Sequence, residues 1–170
     1  MEKELKQISI RGRVAFCLAC LRSALQHEHI SFNQLQIVLD RIQEFLSSTS
    51  LNEWEERAVE VSPDTVLDAH PDNDFNDYET VTKAELDALQ EAYRQLPASI
   101  IQLIELTITV GIANLYGGTG EFSQHTLKPA LEVVRIMRDQ GYEIPDINGY
   151  SKFSFAENNG WGKPEVNPII

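Results

Sequence analysis

Few residues in this chain have the types and spacing that do chemistry. Cys17 and Cys20 form a CxxC pair, the spacing of redox centres and of half a zinc site. Redox pairs of this kind need a helix N-terminus to lower a thiol pKa, and zinc needs two further ligands. This pair falls mid-helix among Val14, Phe16, Leu18 and Leu21 with no second CxxC, so it reads as two buried core cysteines. His27-Glu28-His29 offers ligand atoms without HExxH spacing and reads as a polar helix end. His70 and His125 stand apart from any nucleophile motif, so no triad can be assembled and no catalytic residue is assigned.

Asp72-Asn73-Asp74-Phe75-Asn76-Asp77 begins like a calcium loop, with oxygen ligands at its first, third and fifth positions. The sixth position is then Asp77 where a turn glycine belongs, and the twelfth is Lys83 where a bidentate glutamate belongs. A solvated acidic loop is the better account. Gly117-Gly118-Thr119-Gly120 follows a helix rather than a strand and lacks the Gly-Lys-Ser/Thr ending of a phosphate loop, so it is read as a helix stop and hinge. No cofactor or metal site is expected.

Two groups of side chains remain. Gln102, Glu105 and Thr109 make a narrow polar stripe on an otherwise apolar helix, and a buried Glu105 would need either a partner such as Arg11, Arg13 or Arg22 or a raised pKa. The stripe could therefore line a pocket. The second group is acidic. Glu53, Trp54, Glu56 and Glu60, followed by Asp68, Asp72, Asp74 and Asp77, combine an aromatic anchor with negative charge, the ingredients of a hot spot for a basic protein, although core packing accounts for Trp54 equally well and only the carboxylates need face outward.

Net charge is −12, and residues 51–96 hold three basic against thirteen acidic side chains. Such a field opposes nucleic-acid binding, which needs concentrated Lys and Arg. Only two cysteines and an N-terminus without an uninterrupted apolar stretch point to the cytoplasm.

The elements that must position these residues are helical. Val14, Cys17, Leu18, Leu21, Ala24 and Leu25 recur at spacings of three and four from about Gly12 to Gln26. A capping box, Ser31 with Gln34, opens a second helix carrying Leu35, Leu39, Ile42 and Leu46, and another, Ser50 with Glu53, opens a third. Pro63 to Leu67 could make one further turn. Thr82 and Glu85 form the clearest capping box, ahead of Leu86, Leu89, Tyr93 and Leu96. Residues 98–116 then run apolar on nearly every face, with only Glu105 charged; interruptions and the Gly117-Gly118 stop favour a central globular helix over a membrane span. A last helix carries Leu127, Ala130, Leu131, Val134 and Met137, with Pro129 placed in its first turn and Gly141 at its end.

Residues 142–170 are irregular, and their aromatics predict packing over the helical body, with a small hairpin at Asn148-Gly149. The expected architecture is one all-α domain over residues 1–170, of about six helices around the apolar segment 98–116. The expected function is non-catalytic: an acidic surface presented to a basic protein partner, in the manner of an inhibitor or immunity-type protein, with no nucleic acid and no membrane involved. An enzyme or small-ligand protein with its pocket at Glu105 is the alternative.

Overall fold

The computed structural model describes residues 1–69 and 78–165, and among these the chain is all-α. Its helices are α1 (Glu2–Gln7), α2 (Ile10–His27), α3 (Gln36–Glu44), α4 (Leu51–Val59), α5 (Pro63–Asp68), α6 (Lys83–Gln95), α7 (Ala98–Ile112) and α8 (Gln124–Asp139). No named strand occurs among the described residues; one antiparallel bridge joins Ile8 to Ser154.

Helix α2 is buried on almost every side, and α7 packs on it, on α8, and on α4 and α5. Its apolar residues Ile100, Leu103, Ile104, Ile108 and Val110 join Leu18, Leu21, Trp54, Leu127 and Val134 in one continuous core. At about 1.5–3 kcal/mol for each large apolar side chain removed from water, this burial is the main force holding the helices together.

Among the described residues, Arg11 and Arg13 lie inside that core with no carboxylate paired to them. The Arg13 guanidinium donates from Nε to Leu5 O (2.9 Å), from Nη1 to Ser123 O (2.9 Å) and Thr126 Oγ1 (2.7 Å), and from Nη2 to Phe122 O (2.7 Å). Arg11 donates to Phe45 O, to Ser48 O at 2.7 Å and to Gly162 O at 3.4 Å. Burial lowers both pKa values to about 10, so each side chain stays charged at neutral pH and draws loop carbonyls around it. These loops are the ones that hold the C-terminal segment. Ser9 N–H bonds Phe153 O, Phe155 N–H bonds Gln7 O, and Glu165 N–H bonds Leu46 O.

Several boundaries differ from the sequence reading. Helix α1 was not foreseen, because its one buried apolar residue, Leu5, leaves no stripe to detect. Helix α2 begins at Ile10, where Ser9 Oγ accepts Gly12 N–H at 3.3 Å. The Thr82–Glu85 capping box is present in full. Neither Ser31 nor Ser50 caps with its side chain: a 3-10 turn, Phe32–Leu35, precedes α3, and Ser50 Oγ bonds Asn52 Oδ1. Helix α7 closes at Ile112, short of Tyr116. Pro129 lies inside α8 rather than in its first turn. The Asn148-Gly149 hairpin is replaced by a 3-10 turn, Ile147–Tyr150, which Asp146 Oδ1 caps through Asn148 N–H.

Candidate functional site

Helix α4 exists because Trp54 and Ala58 repeat at helical spacing and seat it on α3 and α7. Its other side therefore carries Glu53, Glu55, Glu56 and Val59 outward, and these form one wall of a groove of about 710 Å³. Thr65 of α5 also lines it. Tyr78, Glu79 and Thr80, ahead of α6, form the opposite wall, and Tyr116 stands beyond the end of α7.

Among the described residues, five carboxylates, those of Glu53, Glu55, Glu56, Glu60 and Glu79, and one guanidinium, Arg57, line this groove. Arg57 is already paired with Glu44, which also takes Arg41 at 3.2 Å. Among the described residues, the one guanidinium of the groove's lining is thus committed to Glu44. Tyr116 is 86% exposed and donates its hydroxyl to Glu55 Oε2 at 2.6 Å. That hydrogen bond, then the Glu55 charge, raises the phenol pKa. Val59 and Leu67 are also exposed, so the acidic surface carries apolar contact area as well as charge.

Trp54 is not part of that surface. Its side chain is 0% exposed, Nε1 donates to Arg41 O at 2.7 Å, and the indole meets Phe45 edge-on at 4.7 Å between centroids. Glu60 is corrected in the same way. It caps the end of α4, is only 9% exposed, and accepts Glu79 N–H (2.6 Å), Thr80 N–H (3.0 Å) and the Thr80 hydroxyl. It is thus a clasp that fastens the 79–80 turn beneath the groove. Glu53, Glu56 and Asp68 are exposed as expected, while Asp72, Asp74 and Asp77, with the start of the calcium-like loop and His70, lie outside the described residues.

The polar stripe of α7 has another use. Gln102 faces solvent, and Thr109 spends its hydroxyl on Glu105 O at 2.8 Å within the helix. Glu105 is half-buried and accepts Asp64 N–H at 3.2 Å, capping the first turn of α5 from outside it. It does not meet an arginine: Arg11 and Arg13 turn to carbonyls, and Arg22 donates to Gln43 Oε1 at 2.7 Å. Burial raises its pKa to about 7, the Asp64 carboxylate adds to the rise, and the Asp64 N–H opposes it.

Cys17 and Cys20 are free thiols in the core; burial pushes Cys20 up to about 12 and raises Cys17 well above the usual thiol range. His27 stacks edge-on against Tyr142, whose hydroxyl donates to Glu28 at 2.6 Å. Among the described residues, no group of three His, Cys, Asp or Glu is placed to hold a metal ion, and no helix is long and apolar enough to cross a membrane.

Sequence reasoning named Glu53 and Glu56, covered Tyr78 and Glu79 only as part of an acidic surface over residues 53–79, and placed Tyr116 on the polar stripe of the apolar helix rather than beside Glu55. Tyr116 carried one signal, an aromatic residue left between the end of an apolar helix and a double glycine. No family model, curated protein or solved structure matches the chain.

Proposed function

We propose that the protein is a non-catalytic interaction protein whose groove between α4 and the Tyr78–Thr80 segment receives a basic segment of a protein partner. The observation that carries this reading is the coincidence of concavity, charge and apolar area. Glu53, Glu55, Glu56 and Glu79 surround a groove that also presents Tyr116 and Val59. A Lys or Arg side chain entering it gains carboxylate partners, while its methylenes lie against the aromatic ring. Carboxylates at the rim steer such a partner in, and Tyr116 supplies the contact that slows its release. An inhibitor or immunity-type protein is one concrete form, in which the bound basic segment belongs to the active surface of the target. Glu105 supports the binding reading over the enzymatic one, because its carboxylate is engaged with α5.

The test is fluorescence anisotropy with a labelled arginine- and lysine-rich peptide, read across a salt series. Glu53→Lys with Glu56→Lys should weaken binding about tenfold or more at low salt, about 1.4 kcal/mol. Glu121→Lys with Glu143→Lys, which changes net charge equally but lies outside the groove, should leave most of the affinity intact. Equal losses in the two double variants would reduce the interaction to net charge alone and sink the groove as a site.

A further inference from the structure

Tyr116 is exposed, yet hydrogen bonds hold it from both ends. Its hydroxyl donates to Glu55 Oε2 at 2.6 Å. Its backbone lies in a turn closed by the buried Asn114, whose carbonyl accepts Gly117 N–H at 3.2 Å and whose Nδ2 donates to Gly117 O at 3.1 Å. Among the described residues no other large hydrophobic side chain is left so open: Val59 and Leu67 are exposed by less than half as much.

The hydroxyl end of this ring is its acidic end. Glu56, next along α4 from Glu55, is exposed, and its charge acts on the same hydroxyl. Among the described residues neither carboxylate makes an ion pair. A carboxylate offers about four acceptor sites, so the single phenol bond leaves Glu55 room for further donors.

The groove's own guanidinium stands on the other side of α4. At about 100° per residue, with Trp54 and Ala58 turned inward, Arg57 and Glu55 fall on opposite flanks of the helix. Their contacts agree: Arg57 reaches Glu44 of α3, and Glu55 reaches Tyr116 beyond the end of α7.

An open ring face with carboxylates at one edge suits arginine better than lysine. A guanidinium is planar and weakly hydrated, so it can lie flat on a phenol while the N–H groups along its rim point outward to carboxylate oxygens. An ammonium is a compact, strongly hydrated charge; it must shed water to sit on the ring and has no plane to share with it.

We propose that the Tyr116 end of the groove is an arginine site, in which a guanidinium of the protein partner stacks on the Tyr116 ring and bonds Glu55 and Glu56 at its hydroxyl end, in preference to a lysine ammonium. This rests on the groove being where the partner docks, and it names the side chain that the partner presents there.

The experiment is fluorescence anisotropy of the full chain with two labelled peptides that differ only in carrying arginine or lysine at every basic position, read at one salt concentration. The arginine peptide should bind about fivefold or more tightly, about 1 kcal/mol. Tyr116→Leu changes an exposed side chain and should bring the two affinities to within about twofold, by weakening the arginine peptide alone. Tyr116→Phe keeps the ring and loses its tie to Glu55, so its preference should fall between those two. In NMR spectra of the bound arginine peptide, δ-methylene protons should move upfield in the ring current of Tyr116, a shift lost in Tyr116→Leu. Equal affinities in the wild type, an arginine preference that survives Tyr116→Leu, or δ-methylene protons that do not move would each overturn the arginine site. The latter reading and the equal affinities need no variant to fold. Failure here is distinct from failure of the groove: two peptides that bind alike, and that both weaken in Glu53→Lys with Glu56→Lys, remove the arginine site and leave the groove, whereas two peptides that do not bind remove both.

Discussion

Replacing Gly111 with alanine sets two opposing effects of known size against each other. Gly111 lies in the last turn of α7, where alanine is favoured over glycine by at most about 1 kcal/mol, the helix-interior value. The added Cβ would lie 2.5 Å from Trp54 Cη2 and 2.9 Å from Cζ3, with Phe45 Cδ2 at 3.5 Å behind. The indole is held in place, because Nε1 is tied to Arg41 O and the ring packs edge-on with Phe45. Overpacking of this kind costs about 1–3 kcal/mol, and the fixed ring puts the cost near the upper end. Gly111→Ala should therefore lower stability by about 1–2 kcal/mol, seen as a reduced urea midpoint with an unchanged m-value.

Trp54→Phe removes the outer ring and leaves Arg41 O unpaired, itself a loss of about 1–3 kcal/mol. In that background the clash disappears and Gly111→Ala should become stabilising, giving a coupling of about 2 kcal/mol or more in the double-mutant cycle. A wild-type background stabilised by about 1 kcal/mol on Gly111→Ala would refute the argument. It would mean that Trp54 does not occupy this site and is free to act as a surface anchor.

Two further outcomes follow from buried polar groups. Glu60→Gln keeps the shape of the side chain but loses charge and acceptor capacity where Glu79 N–H, Thr80 N–H and the Thr80 hydroxyl converge, so it should cost about 1–3 kcal/mol in urea unfolding; a neutral result would return Glu60 to the surface. Arg13→Met keeps the buried stem and strips the donors from Leu5, Phe122, Ser123 and Thr126, so a loss of about 3–5 kcal/mol is expected by calorimetry, and one below about 1 kcal/mol would show those acceptors finding other partners.

The helices were legible wherever an apolar stripe ran for three turns or more. Leu86, Leu89 and Tyr93 behind the Thr82–Glu85 box, and Leu127, Ala130, Val134 and Met137, are buried as their spacing requires. Local signals failed where tertiary contacts decide the matter. Ser31 and Ser50 carry the right residue types for capping, yet adjacent turns claim their hydroxyls or geometry, whereas Glu105 caps α5 across 41 positions of sequence. Asn148-Gly149 favours a two-residue hairpin only if strands flank it, and Asp146 instead closes a 3-10 turn there.

The candidate site divides along the same line. Charge is a property of composition, so its concentration in residues 51–96 was readable, and helical spacing sends Trp54 inward while Glu53 and Glu56 point out. By spacing alone Glu60 continues the outer face begun by Glu53. It is buried because the 79–80 turn, distant in sequence, donates three hydrogen bonds to it. That same turn brings Tyr78 and Glu79 opposite α4 and so converts an acidic helix face into a groove. Concavity is what separates a surface that merely repels its own kind from one that can hold a basic side chain, and here it depends on Glu60, whose carboxylate oxygens are taken by the 79–80 turn. Removing that clasp while leaving every rim carboxylate in place should therefore weaken peptide binding without changing the charge around the rim.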